Sequence, residues 1–238
     1  YTEAEVEAAT ANLRGEVARL RAEVDSLRVP DRAPRSVGEG ALSLVVSGVQ
    51  QLTPRVRAYT LRAADGGELP VIQAGAHLDV PVPLADGRIA TRRYSIASDP
   101  LRRDAWEIAV LREERGSGGS AAVHAHYDVG LRLRCALPGN DFELHQDARP
   151  AVLIAGGIGI TPLRAMAYAL QARGQDFTLH YAARSRTEAA WAEDLARQFG
   201  ERLSIHGTDQ GPRLEVEALL SAASTSARRR RSSRPSRR

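Results

Sequence analysis

Lysine is missing altogether: all 33 basic residues are Arg. Cysteine is nearly missing. The single Cys135 excludes a disulfide framework within the chain and any all-cysteine metal or iron–sulfur site. No run of eighteen apolar residues occurs, so no transmembrane helix is expected. No secretory signal pattern opens the sequence, which makes the cytoplasm the expected compartment. What is present is 238 residues, 43% hydrophobic and 26% charged, enough for one large domain or two small ones. Twenty Gly and twelve Pro point to many turns rather than to a helical bundle throughout.

The charge is unevenly spread. The formal net charge is +4, but seven Arg lie between Arg228 and Arg238. Without them 26 Arg face 29 carboxylates, a net charge of −3, so the high pI belongs to the tail and not to the body. A nucleic-acid function does not follow from the pI, and nucleic acid is not an expected partner.

Residues 2–28 read as one helix, with Thr2 and Glu5 as a capping box. Val6, Leu13, Leu20 and Leu27 recur every seven residues, and Thr10, Val17 and Val24 fill the intervening slot. That pattern suits a parallel two-stranded coiled coil, hence a homodimer through residues 2–28. It suits an amphipathic helix packed on its own protein equally well. Residues 29–40, with Pro30, Pro34 and Gly38, read as a linker.

Residues 41–148 read as a β domain. Leu42, Leu44 and Val46 alternate with smaller residues, as do Trp106, Ile108 and Val110, and Leu131, Leu133, Cys135 and Leu137. Turn signals stand between the strands at Asp65-Gly66-Gly67, Asp86-Gly87, Gly116 to Gly119 and Pro138-Gly139-Asn140. Short strands so spaced predict a small antiparallel barrel. Residues 149–226 change character. Strands are expected at Ala151–Ala155, Phe177–Ala182 and Leu203–His206. Helices are expected at Pro162–Arg173, from a Ser185–Glu188 capping box to about Phe199, and at Glu215–Ala222. This alternation predicts a parallel α/β sheet. The fold class expected is therefore α+β with two domains, a barrel followed by a parallel α/β domain. Residues 227–238 are Arg- and Ser-rich and cannot bury a core, so they read as a disordered tail.

Three motifs could carry chemistry. Gly156-Gly157-Ile158-Gly159-Ile160-Thr161-Pro162 joins an expected strand to an expected helix, where glycines admit a pyrophosphate to the helix N-terminus and Thr161 adds a hydroxyl donor. A tight turn alone would also need glycine. Arg92-Arg93-Tyr94-Ser95 offers a phosphate fork, a ring for packing and a hydroxyl donor, although an exposed basic strand end reads the same way. Gly116-Ser117-Gly118-Gly119-Ser120 is either a flexible hairpin loop or a second phosphate cradle. Loop is the better reading unless the Arg92 site is real. His77, His124, His126, His145, His180 and His206 show no metal-ligand spacing.

In order, Arg-x-Tyr-Ser, Gly-Gly-Ser, Pro-x-Asn-x-Phe-x-Leu and Gly-Gly-Ile-Gly-Ile-Thr-Pro resemble the ferredoxin–NADP reductase superfamily. The branch they resemble is that of phthalate dioxygenase reductase and vanillate demethylase reductase. The resemblance covers about residues 40–222 and implies an NAD(P)H-dependent flavin oxidoreductase. It implies FMN, rather than FAD, in the barrel and NADH or NADPH in the α/β domain, with electrons passed to a ferredoxin or to the oxygenase component of a Rieske-type system. By position, Arg92 would hold the flavin phosphate, with Gly118, Gly119 and Ser120 completing its site. Tyr94 would pack on the flavin ring, Ser95 would sit by its reactive N5, and Ile108, Ala109 and Val110 would line the flavin strand. Gly157, Gly159, Thr161 and Pro162 would form the nucleotide turn, with Arg184, Ser185 and Arg186 on the adenosine-ribose side. Asn140 and Phe142 would be structural.

Two departures stand out. The Cys-Gly-Pro strand of the family is replaced by Ala227-Arg228-Arg229-Arg230-Arg231, and the four Cys of a plant-type cluster are not in this chain. A truncation or a shifted reading frame is the expectation these raise. The alternatives are an inactive reductase fragment, or a coiled-coil interaction protein whose basic tail touches nucleic acid or a membrane surface.

Overall fold

The computed structural model describes residues 15–17, 19, 35–209 and 214–217. The chain divides into two compact units, Tyr1–Arg35 and Ser36–Arg238. In the first unit residues 15–17 and 19 are helical, with Arg19 3.7 Å from Glu16 one turn back. The expected capping box and the heptad positions other than Val17 lie outside the described residues, as does the Arg-rich tail. No helix among the described residues is long and apolar enough to cross a membrane.

The second unit begins with a barrel. Its strands are β1 (Ser36–Gly38), β2 (Leu42–Thr53), β3 (Val56–Ala63), β4 (His77–Pro83), β5 (Ile89–Ser95), β6 (Trp106–Leu111) and β7 (Arg132–Cys135). Five of them form a sheet in the order β1-β7-β2-β3-β6, and β4 pairs with β5 in a second sheet. A bridge between Ile96 and Ile108 links the two. Alternation works as expected: Leu44 and Val46 of β2, Trp106, Ile108 and Val110 of β6, and Leu133 of β7 are all fully buried. Each such side chain contributes about 1.5–3 kcal/mol by leaving water.

Three expectations need correction here. Residues 36–38 of the expected linker form β1, which runs parallel to β7 in an otherwise antiparallel sheet, with Val37 packed on the barrel core. Leu137 does not continue the β7 face and is exposed. The Pro138-Gly139 turn carries the chain across to β4 instead, where Gly139 and His77 exchange backbone hydrogen bonds. Finally, Gly119 starts a helix, α1 (Gly119–His126), so the Gly116–Gly119 stretch is a loop leading into a helix and not a hairpin loop.

The parallel lobe follows with β8 (Ala151–Gly156), α2 (Ile160–Ala172), β9 (Phe177–Ala183), α3 (Ala192–Phe199) and β10 (Leu203–Gly207). The sheet order is β10-β9-β8, all parallel. Ile160, Leu163, Ala167 and Leu170 put the helical-period face of α2 into the core. Gly174 ends the chain's helical run with a φ of +63°.

The helix expected from Ser185 starts late, at Ala192. Ser185 Oγ is engaged with Thr187 Oγ1 at 2.9 Å, and Arg186–Glu188 is only a 3₁₀ turn. Burial explains the delay. Ala189, Ala190 and Trp191 drop into the core, and the Ala190 N–H donates to the buried Tyr181 hydroxyl at 3.0 Å. Of the expected helix at 215–222, residues 216–217 are helical and residues 218–222 lie outside the described residues.

The two lobes share one apolar cluster, which includes Val56, Ala58, Ala97 and Ala109 of the barrel and Ile160, Leu163 and Leu170 of the α/β lobe. Arg164 of α2 reaches across the seam. Its Nη1 donates to Glu107 Oε1 at 2.6 Å and to Ala97 O at 3.2 Å, and its guanidinium lies 4.5 Å from the Trp191 ring centroid.

Candidate functional site

The period of a strand divides the Arg-Arg-Tyr-Ser motif on β5. Arg93 takes one face and is consumed there by Asp79 (3.1 Å) and Asp141 (2.6 Å). Arg92 and Tyr94 take the other face. Arg92 has no carboxylate partner among the described residues. Its Nη2 donates to Ser117 Oγ at 2.8 Å and its Nη1 to Thr91 O at 2.9 Å. Tyr94 packs against the barrel core, and burial pushes its phenol up to about 12, so it stays neutral at physiological pH. The Ser95 hydroxyl, half-buried at the end of β5, has no hydrogen-bond partner among the described residues.

Beside Arg92 stands the N-terminus of α1. The helix is docked by fully buried Val123, by the Tyr127 hydroxyl donating to Pro81 O (2.8 Å) and by His124 Nε2 donating to Val110 O (2.9 Å). Gly118 caps it in the left-handed region at φ 79°, where a side chain would be strained. No side chain caps the first turn and none there is acidic. Its free N–H groups therefore face outward with the positive end of the helix dipole. Gly119 is buried against Arg92, where a Cβ would meet the guanidinium. Ser120 Oγ accepts the Glu113 N–H at 3.0 Å, which closes the loop and leaves its O–H as a donor. An unpaired guanidinium against an uncapped helix start is a donor set that fits a phosphate monoester.

Ile108 and Val110 are fully buried, with their side chains in the barrel core. Ala109, between them, points to the other face and joins the cluster shared with the α/β lobe. Asn140 is structural, as expected: its amide donates to Ala74 O at 3.2 Å and its oxygen accepts the Phe142 N–H at 3.1 Å. Phe142 itself is exposed.

On the other lobe, Gly157–Gly159 form a 3₁₀ turn between β8 and α2, with Gly157 at φ +51°. Thr161 corrects the sequence reading. Its hydroxyl donates to Ile158 O at 3.0 Å and is nearly buried, so it closes the turn on itself rather than offering a donor. Pro162 sits in the first turn of α2, where its missing N–H costs nothing.

A cleft of about 710 Å³ opens at this turn, lined by Gly156, Gly157, Ile158, Arg184, Glu188 and Thr208 of the α/β lobe. The barrel side of the cleft is made by Thr53, Arg55, Val56 and Leu111. Gly159, Thr161, Pro162, Ser185 and Arg186 do not line it. Arg184 is exposed and has no ion-pair partner among the described residues, while its carbonyl accepts the Thr208 hydroxyl at 3.1 Å. Arg55 was not legible in the sequence as a site residue, because a hairpin-turn Arg carries no local signal. A pair of histidines was also missed: His180 Nδ1 and His206 Nε2 lie 3.4 Å apart on neighbouring strands.

No protein-family model matches the chain. It is 41% identical to the tert-butanol monooxygenase / tert-amyl alcohol desaturase reductase subunit of Aquincola tertiaricarbonis, over 76% of this chain and 53% of that protein. It is 38% identical to the vanillate O-demethylase oxidoreductase of Acinetobacter baylyi, over 71% of this chain and 52% of that protein. Among solved structures, phthalate dioxygenase reductase superposes with a TM-score of 0.69 and 30% identity, covering 76% of this chain and 56% of that one. That protein is a modular structure for electron transfer from pyridine nucleotides to [2Fe-2S]. The chain spans about half the length of the curated relatives it matches.

Proposed function

Since the chain belongs to the phthalate dioxygenase reductase and vanillate demethylase reductase branch of the ferredoxin reductase-like proteins, we propose that it is the flavin- and nucleotide-binding part of such a reductase. It takes electrons from NADH or NADPH and passes them to a ferredoxin or an oxygenase component. The observation that carries this reading is Arg92, free of carboxylates, lying against the uncapped start of α1.

Arg92 and the N–H groups of Gly119 and Ser120 would hold the phosphate of FMN. A terminal phosphate matches this end-on donor set, which favours FMN over FAD. When bound, the flavin supplies the conversion of a two-electron donor into single-electron output. Tyr94, held neutral by burial, gives its ring as a packing surface. Ser95 keeps an uncommitted O–H at the end of the same strand and would offer it as a donor to the flavin ring. Gly157 and Ile158 would admit the dinucleotide to the start of α2, and Arg184, which lines the same cleft, would meet its ribose. Arg164 ties the two lobes together through Glu107 and Ala97, a contact that would help to orient ligands held by each.

The test is an absorption spectrum of the full chain after incubation with FMN and removal of free flavin, then after NADH without oxygen. A bound flavin spectrum that bleaches with NADH, and far weaker binding of riboflavin, which lacks the phosphate, are expected. A colourless protein after excess FMN would end the proposal.

A further inference from the structure

We infer that Arg55, on the barrel side of the cleft, binds the pyrophosphate of the nicotinamide dinucleotide, so that both lobes grip one ligand. This rests on the nucleotide-binding reading above.

Arg55 sits in the turn between β2 and β3, and its backbone is fixed. Thr53 Oγ1 accepts the N–H groups of Arg55 (3.3 Å) and Val56 (3.1 Å), and the Arg112 N–H donates to Arg55 O at 2.7 Å. Its side chain is far less committed. Nη2 makes one long bond, to Arg112 O at 3.3 Å. Nε is buried and has no acceptor. No carboxylate pairs with the guanidinium among the described residues. With no carboxylate against it, the guanidinium takes its charge partner from an anion that enters the cleft it lines.

The cleft shows what that acceptor is. Arg55 lines the same space as Gly156, Gly157 and Ile158, and its neighbour Val56 shares an apolar cluster with Ile158. Its place is therefore beside the glycine turn, where a diphosphate meets the start of α2. Arg184 follows β9 and serves the ribose side. Glu188 is the carboxylate lining the cleft, against the two unpaired guanidiniums of Arg55 and Arg184. The balance is positive and suits an anion. Because the diphosphate is common to NADH and NADPH, Arg55 raises affinity for both alike and does not select between them.

Calorimetry of the full chain with ADP-ribose, AMP, NADH and NADPH tests this. Arg55→Gln keeps a donor for Arg112 O but removes the charge. It is expected to weaken ADP-ribose roughly ten- to hundredfold, to weaken NADH and NADPH by that same factor, and to weaken AMP, which carries one of the two phosphates, by less. Arg55→Lys keeps the charge without the fork and is expected to recover part of the loss, which also controls for folding. Affinities equal to the parent chain in both variants overturn the inference while the nucleotide reading stands. Loss confined to NADPH overturns it too, by moving the contact to the 2′-phosphate. A parent chain that binds none of the four nucleotides overturns the nucleotide reading, and this inference with it.

Discussion

Adding one methyl group at Gly119 should separate flavin binding from stability. Gly119 is the first residue of α1 and has no unusual backbone geometry. A Cβ there would lie inside contact distance of Arg92 Nε, 3.1 Å from its Cζ and 3.2 Å from its Cδ. All three atoms belong to one flexible side chain, so the clash is relieved by moving Arg92 and not by moving the fold. Alanine also favours helix over glycine, by up to about 1 kcal/mol in an interior and less in a first turn. Gly119→Ala is thus expected to leave the melting temperature of the flavin-free protein unchanged or slightly raised. Arg92, displaced, gives up its charge-assisted bonds to the phosphate, about 1.5–3 kcal/mol or roughly ten- to hundredfold in Kd. Flavin fluorescence titration reads this directly, and riboflavin should bind both proteins alike. If Gly119→Ala binds FMN as tightly as the parent, the phosphate does not sit between Arg92 and α1.

Replacing Arg164 with Leu leaves Glu107 unpaired at the seam, where their side chains are only 11% and 22% exposed. A loss of about 2–4 kcal/mol is expected in urea unfolding, mostly recovered when Glu107 is also made Leu; a neutral single variant would count against the seam contact. His124 gives an acid-side dependence. Burial, then the charges of Arg57 and Arg112, hold its pKa below the ordinary 6.5. The unfolded chain therefore binds the proton first, so this stability is complete above pH 6.5 and fades as the pH falls toward the folded value. His124→Gln should flatten the fall in melting temperature between roughly pH 7.5 and pH 5.5, and an unchanged slope would assign it elsewhere. The thiol of Cys135 is raised to about 12 by burial. Labelling by a thiol reagent should wait for unfolding, and fast labelling of the native protein would contradict its place in the barrel.

The strands of both lobes were readable because burial on one face imposes a period of two, and Leu44, Val46, Trp106 and Ile108 obey it in sequence and in space. The glycine turn was readable because strand, turn and helix are contiguous. What failed depended on which of several possible partners the folded chain supplies. Ser185 and Glu188 form a sound capping pattern, yet the buried Tyr181 hydroxyl holds Ala190 and delays α3 to Ala192. Thr161 at a helix start reads as a ligand donor, yet its hydroxyl takes the other option open to it there and turns back to Ile158 O.

The same logic separates two arginines that stand side by side. Arg92 and Arg93 are indistinguishable as residue types, and their order in the chain does not say which one is free for a ligand. The pleat of β5 sends them to opposite faces, and the carboxylates that neutralise Arg93 lie 14 and 48 residues away, at Asp79 and Asp141. Arg164 meets Glu107 across 57 residues. A charged residue's role here is thus decided by whether the fold brings a carboxylate to it. Arg93 and Arg164 are matched and serve structure, whereas Arg55, Arg92 and Arg184 have no ion-pair partner among the described residues and stand where an anionic ligand can supply one.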